Sequence, residues 1–167
     1  MELVVQEPRR IWWARPRKLC ALERPGGGGR NHRADRRAAE IEYLRGRGVR
    51  MVVSAMRSRH NLAAYEAAGL EWHHVPVGSA GEGAEALEEL LPLLKFELRA
   101  TGAVALHGDS YTDFVAAVCA AHLHEARGVD AAEALDRAAR AGLTVTAEAC
   151  ALVGVDVGEV EALRRRA

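Results

Sequence analysis

One short segment concentrates the side chains whose types and spacing could do chemistry. It follows the apolar run 103–106 and contains, in order, His107, Gly108, Asp109, Ser110, Tyr111, Thr112, Asp113 and Phe114. Ser110 beside His107 has the residue types of a nucleophile and its base. His107 with Asp109 and Asp113 has the residue types of a metal site. The simpler interpretation, which we favour, is that Ser110 and Thr112 cap a following helix while His107 bonds the loop backbone.

The elements that would position this segment alternate along the chain. Apolar runs predict strands at 11–14, 19–22, 49–54, 70–77 and 103–106. Helical spacing predicts helices at 34–45, 61–68, 84–99, 111–126, 131–140 and 145–153, with a short tail at 160–166. Pro92 is expected to kink or interrupt the helix that contains it. This alternation predicts one α/β domain over 1–167, with a central, mostly parallel sheet flanked by helices.

The segment 107–114 would then join a buried strand to a helix N-terminus at the carboxyl edge of the sheet. Sites cluster at this edge in such folds. The first amides of the helix point into the loop, and the helix dipole is positive there, so the arrangement favours an anion. The geometry therefore predicts an anion cradle, provided that its side chains permit one.

At this point the chain resembles the dual-specificity and protein-tyrosine phosphatase family, from about residue 12 to residue 153. The motifs that carry the resemblance are Arg24-Pro25-Gly26, Gly46-Arg47-Gly48, Val49–Ser54, Tyr65–Leu70, His74-Val75-Pro76-Val77, the strand ending at His107, and Asp130–Leu135. The resemblance implies the cysteine-phosphatase fold. It also implies a signature of histidine, nucleophilic cysteine, five residues and arginine, with an aspartate acid on a separate loop.

Matched to that signature, the loop departs from it at both chemical positions. His107 matches the histidine, but Gly108 stands where the cysteine should be and Phe114 where the arginine should be. The segment after Pro76 has no aspartate, and Glu82 is its nearest carboxylate. The resemblance therefore implies a degenerate site without nucleophile or clamp, and an inactive, phosphatase-like binding or regulatory module.

The negative charge of the loop also argues against phosphate binding there. Asp109 and Asp113 would add negative charge where a phosphate dianion would sit. Two unit charges about 4 Å apart repel by roughly 4 kcal/mol at an effective dielectric near 20. A helix terminus offers only about 0.3–1 kcal/mol, or up to about 2 kcal/mol. We therefore expect weak phosphate binding, provided that both aspartates are ionised and face the loop.

Basic residues surround this edge of the predicted sheet. Residues 1–60 hold 15 Lys and Arg against 6 Asp and Glu, whereas residues 61–160 hold 5 against 16. Candidate ligand-binding residues are Arg24, Arg30, Arg33, Arg57, Arg59, His107 and Ser110. This rim could hold an acidic or phosphorylated protein, or a small anion, and would face the negative loop across one cleft. The alternative, which the residue types alone favour, is a solvated arginine-rich surface.

Other classes find less support in the sequence. The three cysteines, Cys20, Cys119 and Cys150, lie far apart and lack zinc spacing, so we expect reduced thiols in a cytoplasmic protein and no metal or cofactor. No apolar run reaches a membrane span, and no motif supports a nucleic-acid partner. Two alternatives to the binding module stay open. One is an enzyme of different chemistry that uses His107 with Asp109, Ser110 or Asp113, and the other is a structural or assembly subunit.

Overall fold

The computed structural model describes residues 3–109 and 111–166, and the prediction on Ser110 lies outside that range. The strands are β1 Trp12–Arg15, β2 Leu19–Leu22, β3 Val49–Ser54, β4 Glu71–His74 and β5 Ala103–His107. The helices are α1 Ala34–Gly46, α2 Leu62–Ala67, α3 Ala84–Glu97, α4 Asp113–Arg127, α5 Ala131–Arg140, α6 Ala147–Leu152 and α7 Val157–Arg165. Two 3₁₀ turns, Gly29–Asn31 and Ala80–Glu82, lie in the loops.

The strands form one sheet in the order β1-β2-β5-β3-β4. The pairs β2–β5, β5–β3 and β3–β4 are parallel, and only the edge pair β1–β2 is antiparallel. The predicted α/β domain with a mostly parallel sheet is therefore confirmed. Because β5 lies in the middle of the sheet, the segment that follows it begins at the centre of the carboxyl edge.

Apolar residues alternate along the central strands and supply two cores, one on each face. Ala103 and Ala105 pack with α1 and α2, whereas Val104 and Leu106 pack with α3, α4 and α5. Successive side chains of a strand point to opposite faces, so His107 continues the series of Ala103 and Ala105. The alternation thus directs the His107 side chain towards α2.

Two expectations about the elements need correction. Helix α3 runs through Pro92 without interruption. Pro92 is exposed while Leu90 and Leu94 are buried, so packing on the core holds both halves of the helix in line despite the missing amide donor. The strand predicted at 70–77 is shorter, because pairing with β3 covers only Glu71–His74.

Candidate functional site at the carboxyl edge of the sheet

The carboxyl ends of four strands meet at one edge, and the loops that follow them form the candidate site. Arg24 follows β2, Gly108 follows β5, Arg57 follows β3 and Gly78 follows β4. The amide of Ala55 donates to the His107 carbonyl at 2.8 Å, and so extends the β3–β5 pairing beyond the last strand residue. The sheet topology therefore brings together segments that lie more than 80 residues apart in the chain.

His107 is completely buried and both of its ring nitrogens have partners. Nδ1 lies 2.8 Å from the Gly108 carbonyl oxygen and Nε2 lies 2.7 Å from the Tyr65 hydroxyl. A carbonyl only accepts, so Nδ1 carries the proton and the Tyr65 hydroxyl donates to Nε2. Burial lowers the pKa of His107 to about 4. The expected bond to the loop backbone is thus present, and the neutral imidazole is a structural group.

Asn61 and Arg37 extend this hydrogen-bond chain to the rim. Asn61 has a left-handed backbone (φ 79°), which asparagine tolerates better than most residues. Its amide nitrogen donates to the Pro25 carbonyl at 2.9 Å and lies 3.3 Å from the Tyr65 hydroxyl, while its oxygen accepts from Arg37 at 3.1 Å. Sequence reasoning missed this residue. The available signal was an asparagine at the first position of the helix predicted at 61–68.

Gly108 lies in a tight bend. A Cβ at this position would lie only 2.7 Å from the carbonyl oxygen of Tyr111. Thr112 precedes α4 but makes no capping bond to the helix, so the expectation that it caps α4 is wrong. Its hydroxyl instead accepts the Thr144 amide at 2.7 Å and ties the loop to the segment after α5. The loop is held in a form that has no room for a side chain at residue 108.

The two aspartates of the segment occupy different environments, which corrects the expectation that both face a phosphate site. Asp113 is buried, and its Oδ2 accepts the Ala80 amide at 3.3 Å and the Thr146 hydroxyl at 3.1 Å. Asp109 is half exposed and lies 3.8 Å from Arg24. Asp113 turns away because donors on neighbouring loops satisfy its carboxylate. Only Asp109 remains at the mouth of the loop.

The side chains of Phe114 and Tyr111 also lie in different environments. Phe114 is buried against the backbone of Gly83, where a Cβ would lie 2.6 Å from the ring atoms Cδ2 and Cε2. Tyr111 is 70% exposed. The position matched to the family arginine therefore belongs to the hydrophobic core between α4 and the segment before α3. His107, Asp109 and Asp113 do not converge, and this geometry does not favour joint catalysis by them.

Among the described residues, Arg24 is the candidate arginine that contacts the loop. It is only 6% exposed, its amide donates to the Asp109 carbonyl at 3.4 Å, and its guanidinium bonds Nδ1 of His60. Its buried Nε has no partner among the described residues. Burial lowers the pKa of Arg24, so this guanidinium is incompletely compensated. Of the predicted contacts between the basic rim and the acidic loop, the described residues show one, between Arg24 and Asp109.

The other four arginines spread over the surface. Arg30 is exposed on the 3₁₀ turn before α1, and Arg33 pairs with Asp35 at 3.3 Å. The guanidinium of Arg59 lies 5.2 Å from the centre of the Trp72 ring. Arg57 crosses over Gly78 and pairs with Glu82 at 2.7 Å. Glu82, the nearest carboxylate to the family's acid position, is thus engaged by an arginine.

The cysteines lie inside the protein. Cys20, Cys119 and Cys150 are each fully buried, and burial raises the pKa of each thiol. The thiolate is the reactive form of cysteine, so none of these groups is activated as a nucleophile. Within residues 3–109 and 111–166, no three metal-ligating side chains cluster together, and no helix is long and apolar enough to cross a membrane.

Comparisons with known proteins identify the fold. No family model matches the chain, and no curated protein matches its sequence. Human DUSP28 superposes with a TM-score of 0.65 at 22% identity, over 94% of this chain and 99% of its own. TpbA from P. aeruginosa in complex with phosphotyrosine gives 0.69 at 19% identity, over 97% and 96%. A mouse putative dual specificity phosphatase complexed with zinc tungstate gives 0.63 at 19% identity, over 99% and 96%. The chain therefore has the fold of the dual-specificity and protein-tyrosine phosphatases.

Proposed function

We propose that this chain is a phosphatase-like protein without thiol phosphatase activity, which acts as a binding or regulatory module. The observation that carries the proposal is the state of the loop after β5. Gly108, which the sequence match aligns with the family cysteine, lies in a bend with no room for a Cβ, and Phe114, which it aligns with the arginine, is buried in the core. A thiolate that attacks phosphorus and a guanidinium that holds its oxygens are both required by that chemistry. The described loop supplies neither.

Turnover of an aryl phosphate tests the inactivity. We expect the purified chain to hydrolyse p-nitrophenyl phosphate no faster than a variant in which Cys20, Cys119 and Cys150 are all replaced by serine. The reason is that each thiol is buried and protonated. Release of nitrophenolate is followed by absorbance, with an active cysteine phosphatase as the positive control. Turnover that one of these substitutions abolishes would contradict the proposal.

Arg24 supports the second half of the proposal, the binding of an acidic ligand. It is buried at the mouth of the loop, its Nε has no partner among the described residues, and its nearest carboxylate, Asp109, is 3.8 Å away and half exposed. A guanidinium in such a place gains from a second anionic partner, because charge-assisted hydrogen bonds are roughly twice as strong as neutral ones. A carboxylate or phosphate of a partner protein would supply that contact.

Removal of the Asp109 charge, which competes with an anionic ligand for Arg24, tests this binding. We expect Asp109→Asn to tighten the binding of a fluorescent phosphotyrosine peptide by about fivefold, since one charge at about 4 Å is worth about 1 kcal/mol in water. Fluorescence anisotropy measures the affinity, with an acidic peptide that carries glutamate in place of phosphotyrosine as the second probe. Glu42→Gln is the matched control, because Glu42 pairs with Arg45 on α1 at 2.9 Å and neither residue is among the candidate ligand-binding residues. Equal affinities of the wild type and Asp109→Asn for both peptides would refute a binding role for Arg24.

A further inference from the structure

The edge of the sheet opposite the candidate site carries a second concentration of positive charge. Arg15 ends β1, and the turn that leads to β2 contains Arg17 and Lys18. Lys18 donates to the carbonyls of Ala100 and Gly102, at 2.8 and 3.4 Å, and so fixes the turn against the loop that enters β5. The residues involved lie at the amino ends of the parallel strands. This surface is therefore separated from the altered loop by the length of the sheet.

A cleft of about 270 Å³ opens beside this turn. Its charged lining residues are Arg15, Lys18, Arg127 and Arg137, and Leu123 and Val129 contribute apolar wall. No carboxylate lines it among the described residues. Arg137 is paired with Glu133 at 2.7 Å outside the lining, but Arg15 and Arg127 have no carboxylate partner among the described residues. The cleft thus presents two guanidinium groups whose charge is not balanced.

A buried, neutral histidine contacts one of these arginines and does not compensate its positive charge. His122 on α4 is 3% exposed, and its Nε2 lies 3.2 Å from the Arg15 guanidinium. A guanidinium only donates, so Nε2 accepts and the ring is neutral. Burial, Arg15 and Arg127 all lower the pKa of His122 to about 4, and burial and Arg127 also lower the pKa of Arg15. Arg15 and Arg127 thus line the same cleft, and among the described residues the neutral His122 ring is the one hydrogen-bond partner of the Arg15 guanidinium.

We propose that this cleft is a binding site for a phosphate group, distinct from the altered loop. A phosphate dianion carries two negative charges, which match the two unbalanced guanidinium groups, and its tetrahedral oxygens suit the fork geometry of arginine. The hydrogen bond to His122 orients the Arg15 guanidinium and leaves its other N–H donors available to a ligand. The group can belong to a free phosphate or to the backbone of an oligonucleotide, in which each phosphodiester carries a single charge, so that two successive groups would be needed to match both guanidinium groups.

Titration calorimetry with sodium phosphate at constant ionic strength tests the site. We expect Arg127→Gln to weaken phosphate binding by about tenfold, the usual order for loss of one charge-assisted contact. Arg164→Gln, a substitution at an exposed arginine of α7, is the matched control and should bind like the wild type. Circular dichroism establishes that both variants are folded. A fluorescent 12-nucleotide single strand forms the second arm and separates a backbone phosphate from the free anion.

Each outcome of these titrations either supports or overturns the proposal. Binding of either probe that Arg127→Gln weakens and Arg164→Gln preserves supports the site, and the probe that binds more tightly identifies the source of the phosphate. Binding that Arg127→Gln leaves unchanged overturns the proposal, because the anion then sits elsewhere. Absence of binding for both probes overturns it equally.

Discussion

The double substitution Gly108→Cys with Phe114→Arg is expected to destabilise the protein by at least about 3 kcal/mol and to leave it without phosphatase activity. Loss of a buried phenylalanine commonly costs about 3–5 kcal/mol, and a charged group placed in the same apolar site adds to that cost. The new Cβ at residue 108 would meet the Tyr111 carbonyl at 2.7 Å. A cysteine at residue 108 and an arginine at residue 114 therefore cannot be accommodated without reorganisation of the loop.

Urea unfolding followed by circular dichroism measures this effect. Phe114→Leu is the matched control, since it keeps the site apolar and should cost less than the charged replacement. Separate single variants show whether the loss lies in the loop bend or in the packing against Gly83. A double variant that is as stable as the wild type and hydrolyses an aryl phosphate would show that the loop opens readily, which would contradict the rigid bend described above.

Acidification from pH 7 to pH 5 is expected to lower the free energy of unfolding by about 2 kcal/mol through His107 alone. The pKa of His107 in the folded protein is about 4, below the ordinary value of 6.5, because the ring is buried. Between these two values the unfolded chain binds a proton that the folded chain does not. Stability is therefore complete above pH 6.5 and falls as the pH drops towards 4. His122, whose pKa is also lowered to about 4, acts in the same direction.

Urea midpoints at pH 7, 6 and 5 measure the loss, and proton NMR of the histidine rings assigns it. We expect the His107 resonance to remain in its neutral position at every pH at which the protein is folded. Tyr65→Phe removes the hydroxyl that donates to Nε2, so this variant should show a smaller loss between pH 7 and 5. A His107 ring that titrates near pH 6.5 in the folded protein would refute the argument.

The sequence was informative about elements and less so about side-chain partners. The bounds of β2, β3 and α5 were predicted to the residue, because apolar runs and helical spacing there agree with burial. The environment of Asp113 was not predictable, since its donors Ala80 and Thr146 come from loops more than 30 residues away on either side. The bond between His107 and Tyr65 spans 42 residues for the same reason. Local patterns describe elements, whereas the site depends on how loops from distant elements meet.

The segment between β4 and α3 is anchored at three successive places. Asp113 holds the amide of Ala80, Arg57 holds Glu82, and the ring of Phe114 packs on Gly83. A loop fixed in this way has little conformational freedom left to lose when a ligand arrives. Binding at this edge would therefore carry a small ordering cost, and the affinity would depend on the shape and charge that the loop already has. Preorganisation of this kind suits a surface that recognises one fixed shape rather than one that closes around its ligand.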